Sequence, residues 1–393
     1  MTFEFPSEST ILQILPFAVF ILFGVSWLVQ MIYYWFLYSR LAFYREKPKE
    51  SDTKPVSVII CAKNEYQNLL HNLPVVLEQD YPDFEVIVVN DASDDDSIEL
   101  LNSLARKYKH LRIFDLEKNL NFFSGKKFPL SLGIKSAQHE IILLTDADCQ
   151  PASPNWIRNM QANYDSRTEI VLGYGAYKKT VGFLNQLIRY DAFLVAMQYF
   201  SFALSGSPYM GVGRNLSYKR ELFYRAKGFT SHYKLKSGDD DLFINRAANR
   251  NNTRIEISPD AQTVSTAKAS LVSWILQKRR HYSTARYYRP GYKFMLSLGY
   301  ISKLFLYLSF IALMILNYNL LISLIVFSVF FISHWIILAM STNKMKENDL
   351  AVLSPILEII IMALSPVIYF SNLIIKQENG SKPQAHRQGT TGL

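Results

Sequence analysis

Cysteine is nearly absent: Cys61 and Cys149 are the two in 393 residues. Two thiols cannot build a disulfide framework or a thiolate zinc site. Both read as small buried residues at strand ends in a reducing compartment. Charge is also thin, at 19% of residues against about 25% in soluble domains. The 49% hydrophobic and 14% aromatic content excludes a disordered chain. The 42 basic and 33 acidic side chains equally exclude a wholly embedded one. Gly-x-Gly-x-x-Gly and Gly-x4-Gly-Lys-Ser/Thr do not occur, which removes the dinucleotide fingerprint and the P-loop. No Ser-His-Asp arrangement or zinc-ligand spacing replaces them. What remains is a chimera, part membrane and part aqueous, with formal net charge +9. Such a balance suits nucleic acid or an anionic membrane face, and the positions of the charges decide between them.

Ser9 to Ser39 carries no charged side chain, and Ile11 to Leu37 is long enough to cross about 30 Å of hydrocarbon. Tyr33, Tyr34, Trp35 and Tyr38 crowd its end, as an interfacial aromatic belt would. Glu4 and Glu8 precede it; Arg40, Arg45, Lys47 and Lys49 follow it. The positive-inside rule therefore puts the N-terminus outside and residue 40 onward in the cytoplasm. A cleaved signal peptide is not expected, since no basic n-region precedes the run. A second uncharged tract, Leu304 to Asn343, predicts two helices with a turn at Asn317-Tyr318-Asn319. A third, Ala351 to Ile375, is interrupted by Glu358 and Pro366. Glu358 is expected to snorkel near a helix end or to serve an acceptor path. Four crossings would leave Lys376, Lys382 and Arg387 outside, against their preference; one re-entrant or interfacial segment is the alternative.

The chain thus divides into a transmembrane helix (1–40), a juxtamembrane linker (41–53), an aqueous domain (54–290), about three transmembrane or interfacial helices (291–376) and a flexible tail (377–393). Within the aqueous domain, β-branched runs at 56–60, 84–89, 111–116 and 140–145 read as buried strands. Helical stretches at 65–79, 94–108 and 128–137 separate them. This alternation predicts an α/β fold with a mostly parallel sheet and helices on both faces. Ligands then bind beyond the carboxyl ends of the strands. Those ends carry Glu65, Asp91 and the Asp146-Ala147-Asp148 sequence. Two carboxylates at i, i+2 after a strand point to one side and repel unless a cation lies between them. Mg²⁺ or Mn²⁺ with a nucleotide diphosphate suits them; a turn or helix cap is the plainer alternative.

Other features have plain readings beside sharper ones. Asp94-Asp95-Asp96 reads as an N-capping cluster, and Asp239-Asp240-Asp241 as a solvated helix start or a catalytic group. Lys278, Arg279, Arg280, Arg286, Arg289 and Lys293 precede the second hydrophobic tract and suit lipid headgroups. Gly211-Val212-Gly213-Arg214-Asn215 reads as a tight loop that lets an acceptor approach the backbone, or as a plain turn. Phe183 to Leu204, interrupted by Arg189 and Asp191, fits either an interfacial or a buried helix.

Several motifs in order resemble the membrane-integrated family 2 glycosyltransferases with a GT-A fold (Rossmann-like, nucleotide-diphospho-sugar transferases), the group of cellulose, chitin and hyaluronan synthases. They are VIICAKNE (58–65), VIVVNDASDDDS (86–97), SGKKFPLSLGI (124–134), LLTDADC (143–149), SGDDDLF (237–243) and QKRRHYS (277–283). The resemblance implies that Glu65 and Asp91 contact the nucleoside and that Lys126 lies near the diphosphate. It implies that Asp148, with Asp146, holds Mg²⁺ or Mn²⁺ and the donor phosphates. Asp239 or Asp240 is the base, with Asp239 preferred, and Gln277 and Arg280 line the site near the diphosphate. Two positions depart from the pattern. His281 replaces the tryptophan that meets the acceptor terminus in polymer-forming members, and Gly238 replaces a carboxylate.

The residue types match the chemistry. A departing diphosphate needs cations, and an acceptor hydroxyl needs a carboxylate base. The expected function is an inverting, metal-dependent transfer from a nucleotide-sugar, by resemblance a UDP-sugar, to a lipid-linked or glycan acceptor. The expected place is the cytoplasmic face of a bacterial inner membrane. The expected partners are donor, acceptor and membrane lipids, not nucleic acid. A processive polysaccharide synthase and a non-catalytic scaffold are the alternatives; nucleotidyl transfer, which releases pyrophosphate, is another.

Overall fold

The computed structural model describes residues 8–46, 52–117, 125–235 and 237–374, without the side chains of 8–13 and 373–374. Glu4, Lys47, Lys49, Ser124, Lys376 and the 377–393 tail lie outside the described residues.

In chain order the helices and strands are α1 (Glu8–Ile32), α2 (Ser39–Ala42), β1 (Val56–Ala62), α3 (Tyr66–Leu77), β2 (Phe84–Asn90), α4 (Ser97–Lys107), β3 (Leu111–Asp115), α5 (Lys127–Ser136), β4 (Ile141–Asp146), β5 (Cys149–Pro151), α6 (Trp156–Gln161), β6 (Ile170–Gly173), β7 (Gly175–Tyr177), α7 (Phe183–Leu204), β8 (Leu216–Lys219), α8 (Arg220–Arg225), α9 (Asp241–Ala247), β9 (Thr253–Glu256), β10 (Thr263–Ser265), α10 (Leu271–Ala285), α11 (Pro290–Ile315), α12 (Leu320–Lys344) and α13 (Asp349–Ile374). A π-helical turn, Tyr33–Tyr38, joins α1 to α2.

The β-branched runs form a seven-stranded sheet in the order β3-β2-β1-β4-β8-β6-β9. β1 pairs parallel with β2 and with β4, so Val56 faces both Phe84 and Ile141. β8 runs antiparallel between β4 and β6, which leaves the sheet mostly parallel, as the alternation predicts. A small second sheet, β5-β10-β7, stands beside it.

Alternate residues feed two cores. Val58, Ile60, Val86 and Val88 pack on α3, α4 and α6 through Leu73, Leu101 and Trp156. Ile59, Ile87, Val89 and Ile142 pack on α5 and α7. Both faces are covered, so the strands carry unbroken apolar runs. Gly133 lets α5 lie this close: a Cβ there would sit 2.6 Å from Ile59 Cγ2.

The second core continues without a break from α7 into the membrane helices, through Phe193, Phe200, Tyr34, Leu306 and Phe330. α7 is thus the buried helix of the two readings, not an interfacial one. Its charges are neutralised internally: Arg189 binds Glu347 and Asp349, and Asp191 binds Lys278 at 2.8 Å. Lys278 therefore leaves the group of headgroup-facing cations.

Among the described residues, four stretches are long and apolar enough to cross a membrane: Ile14–Ala42, Pro290–Ile315, Leu320–Lys344 and Asp349–Asn372. The turn between α11 and α12 falls where expected, with Asn317 and Asn319 at φ 51° and 46°. Two expectations are corrected. Tyr33, Tyr34 and Tyr38 are buried rather than belted at an interface, leaving Trp35 exposed. The π-helical turn carries them onto the other helices, where Tyr33 donates to Met295 O and Tyr34 meets His334 Nδ1 at 2.6 Å. Glu358 does not snorkel. It is buried in a continuous α13, paired with Lys303 and 2.7 Å from His334 Nε2. A carboxylate in lipid is costly, and the Lys303 ammonium compensates it.

Candidate active site

Parallel pairing brings the ends of β1, β2 and β4 to one edge of the sheet. Glu65 follows β1, Asp91 follows β2, and Asp146 closes β4. Asp148 stands in the next turn, which Asn72 Nδ2 secures by donating to Ala147 O at 3.0 Å. The carboxylates of Asp146 and Asp148, with Cys149 Sγ, present atoms within 4.8 Å of one another. Burial pushes the Cys149 thiol well up, and Asp148 adds to it; sulfur is also a soft ligand, which a hard cation passes over for oxygen. Two half-buried carboxylates remain, a hard oxygen pair that fits Mg²⁺ or Mn²⁺.

Lys126 caps this edge from the start of α5 and pairs with Asp146. Burial opposes both charges. Even so, Asp146 holds the Lys126 ammonium well above the usual lysine range, and Lys126 holds Asp146 below the usual carboxylate range. The charges of Arg214 and Arg280 also reach Asp146. Glu65 accepts from Asn68, and burial, with Asp148 and Asp146 nearby, raises its carboxyl. Asp91 lies 3.7 Å from Lys63. Gln277 Nε2 reaches Tyr177 Oη at 3.4 Å. Arg280 and His281 are exposed on α10.

The acidic triplet 239–241 is not a solvated helix start, because Asp239 and Asp240 are half-buried and Asp241 buried. Its members differ in what holds them. Asp240 caps α9: Oδ1 accepts from Asp241 N and Oδ2 from Gly213 N, both at 2.7 Å. Asp241 accepts from Leu242 N, Thr284 Oγ1 and Tyr288 Oη. Asp239 has no hydrogen-bond partner among the described residues, and its charge acts on Lys126 and Lys127. Gly238 has φ 99°, and a Cβ there would lie 2.6 Å from Leu242 Cδ1. A side chain is therefore excluded where the resemblance expects a carboxylate.

Burial first, then the Asp239 and Asp241 charges, push the Asp240 carboxyl up to about 7. The folded state thus holds this proton more tightly than the unfolded chain, whose aspartates titrate near 3.9. Stability from this group is full below about 4 and falls as pH rises through about 7. Asp240→Asn should accordingly flatten the fall in melting temperature between pH 4 and 7, measured beside the parent in one detergent.

Two side chains at the candidate site escaped the sequence reading. Arg214 ends the Gly211–Arg214 loop, stacks on Tyr177 at 4.3 Å, and donates to Ser265 Oγ at 3.0 Å. The loop drew attention as backbone, not for its arginine. Buried Lys127 donates to Ser237 O at 2.6 Å and to Leu235 O, which fixes the segment before Asp239. Its signal was its place beside Lys126. Among the acidic residues at 94–96, Asp95 does the capping, accepting from Tyr66 N and Ser97 N.

Residues 57–226 match the family described as Glycosyl transferase family 2. A poly-β-1,6-N-acetyl-D-glucosamine synthase of Staphylococcus epidermidis is 31% identical over 143 residues, 35% of this chain and 33% of that protein. An uncharacterised glycosyltransferase of Haemophilus influenzae is 28% identical over 126 residues, 32% of this chain and 37% of that protein. The matched stretch thus spans about a third of the length of these curated relatives. The mannosyltransferase PcManGT of Pyrobaculum calidifontis, solved with GDP-Man and Mn²⁺, superposes with TM-score 0.56 at 19% identity. It covers 87% of this chain and 98% of that one. That likeness establishes the GT-A fold. Sheet order, rim carboxylates and these matches together show that the chain carries a family 2 glycosyltransferase domain, joined to four long apolar helices.

Proposed function

We propose that this protein is an inverting, metal-dependent glycosyltransferase acting at the cytoplasmic face of a bacterial inner membrane. It moves a sugar from a nucleotide-sugar, a UDP-sugar by resemblance, to a lipid-linked or glycan acceptor. One observation carries the reading. Asp239, a carboxylate without a hydrogen-bond partner among the described residues, acts on Lys126, which itself pairs with Asp146 of the Asp146/Asp148 pair.

Asp239 accepts the proton of the acceptor hydroxyl as that oxygen attacks C1 of the sugar. The bond from C1 to the nucleotide diphosphate breaks on the opposite face, which inverts C1. Lys126, Arg214 and Arg280 neutralise the leaving oxygens. Asp148 and Asp146 would hold the divalent ion, which would supply Lewis-acid stabilisation of the diphosphate. Glu65 and Asp91 contact the nucleoside, and Gln277 lines the site beside Tyr177. Asp240 positions the Gly213 loop and the start of α9 rather than the proton.

His281, in place of the acceptor-facing tryptophan, favours transfer of one sugar over processive extension. The names of the staphylococcal relatives keep the polymer reading open to test. Detergent-purified protein screened with nucleotide-sugars should release the nucleoside diphosphate, and mass analysis of the product gives the acceptor increment. Absence of both nucleotide binding and release would leave a scaffold; pyrophosphate release would indicate nucleotidyl transfer. EDTA should abolish release and Mn²⁺ or Mg²⁺ restore it. Asp148→Ala should remain inactive at any metal concentration.

A further inference from the structure

α13 is long and apolar enough to cross a membrane. Its partners place both of its ends on the aqueous domain. At its start, Asp349 receives Arg189 Nη1 at 2.7 Å and Lys179 Nζ at 2.9 Å. At its end, Arg279 Nε donates to Asn372 Oδ1 at 3.1 Å, and Asn372 Nδ2 donates back to Arg279 O at 2.8 Å. Two turns earlier, Tyr282 Oη donates to Ser365 Oγ at 3.2 Å. Arg189 belongs to α7. Arg279 and Tyr282 belong to α10, which is tied to the site through Gln277–Tyr177 and Thr284–Asp241.

A helix from 349 to 372 is ~35 Å long. Standing across ~30 Å of hydrocarbon, it would carry one end to the opposite surface. That surface is marked by the α11–α12 turn, where Tyr318 meets Phe20. α13 instead meets α11 and α12 at their midpoints or nearer the aqueous domain. Tyr300 donates to Met362 O, Lys303 and His334 pair with Glu358, and Trp335 donates to Ala351 O.

We infer that α13 does not cross the membrane. It lies along the leaflet on the catalytic side, and the chain crosses three times, with α1, α11 and α12. Val352, Ile356, Ile359, Ala363, Val367 and Phe370 form one exposed stripe along its length. Spacings of three and four put them on a single face, opposite Glu358, which fits the boundary between headgroups and acyl chains. Exposed Leu271, Val272 and Leu276 of α10 offer apolar surface on the helix that packs against it. The stripe's partner is thus the lipid of that leaflet. An odd number of crossings also agrees with the positive-inside rule, since Lys376, Lys382 and Arg387 follow the last helix in the sequence.

The test uses the full chain with an epitope tag after Leu393, in right-side-out and inverted membrane vesicles treated with protease. The tag and the aqueous domain should be digested in the same vesicles; survival of the tag where the domain is cut overturns the inference. Asn317→Cys should take an impermeant maleimide only from the opposite side. Spin labels at Val352→Cys and Val367→Cys should report equal shallow depth, whereas a spanning helix separates them by ~22 Å.

Discussion

Asp239→Asn lowers turnover by about 10²–10⁴-fold, the usual contribution of a positioned general base. The donor KM should stay near that of the parent, because no hydrogen bond within the described chain depends on this carboxylate. Asparagine keeps its size and breaks no hydrogen bond among the described residues, and Lys126 and Lys127 keep Asp146 and the 235 and 237 carbonyls, so folding is not the cause of the loss. Asp240→Asn is the contrast. It removes charge from a group already pushed toward neutrality, and the one amide oxygen of asparagine keeps one of the two bonds that Asp240 accepts, from Asp241 N or Gly213 N. Its turnover should remain much closer to the parent's. Steady-state rates of nucleoside diphosphate release for the two variants decide the assignment; a reversed order would make Asp240 the base.

The largest stability effect is expected at Arg189. Its guanidinium is 2% exposed and bridges Glu347, also 2% exposed, and Asp349. Arg189→Leu leaves the Glu347 carboxylate buried, with Tyr174 Oη at 3.2 Å and the surface ammonium of Lys179 4.0 Å away. Stranding one partner of a buried pair costs about 3–5 kcal/mol. Lys179 reaches the same acids from the surface, 54% exposed, so Lys179→Ala should cost about 0–1 kcal/mol. Melting in a single detergent separates the two. Glu347→Gln added to Arg189→Leu should recover part of the loss, since the stranded charge disappears. A loss at Arg189 no larger than at Lys179 would show that the cluster does not secure α7 to the junction of α12 and α13.

The central sheet was legible because its strands are covered on both faces and carry unbroken apolar runs. The rim acids were legible because strand ends are fixed once the strands are. The turn at Asn317–Asn319 was visible as a polar break in an uncharged tract. What escaped detection depends on contacts distant in sequence. Arg214 reaches the rim only because its loop folds back onto Asp240. Glu358 looked like a stray charge because Lys303 and His334 are 55 and 24 residues away. The tyrosines at 33, 34 and 38 carry an interface signature, but a π-helical turn redirects them. Composition alone likewise counts α13 as a span, since hydropathy records what a helix avoids and not what grips its ends.

The uninterrupted packing from Ile59 through Phe200 to Leu306 has a practical corollary. A fragment ending near Tyr288 would bare a broad greasy flank on α7 and leave Arg189 without its counterions. Such a fragment should precipitate or require surfactant. Anchor and transferase are therefore halves of a single folding unit, and an inherited lesion in either half would present as loss of the whole.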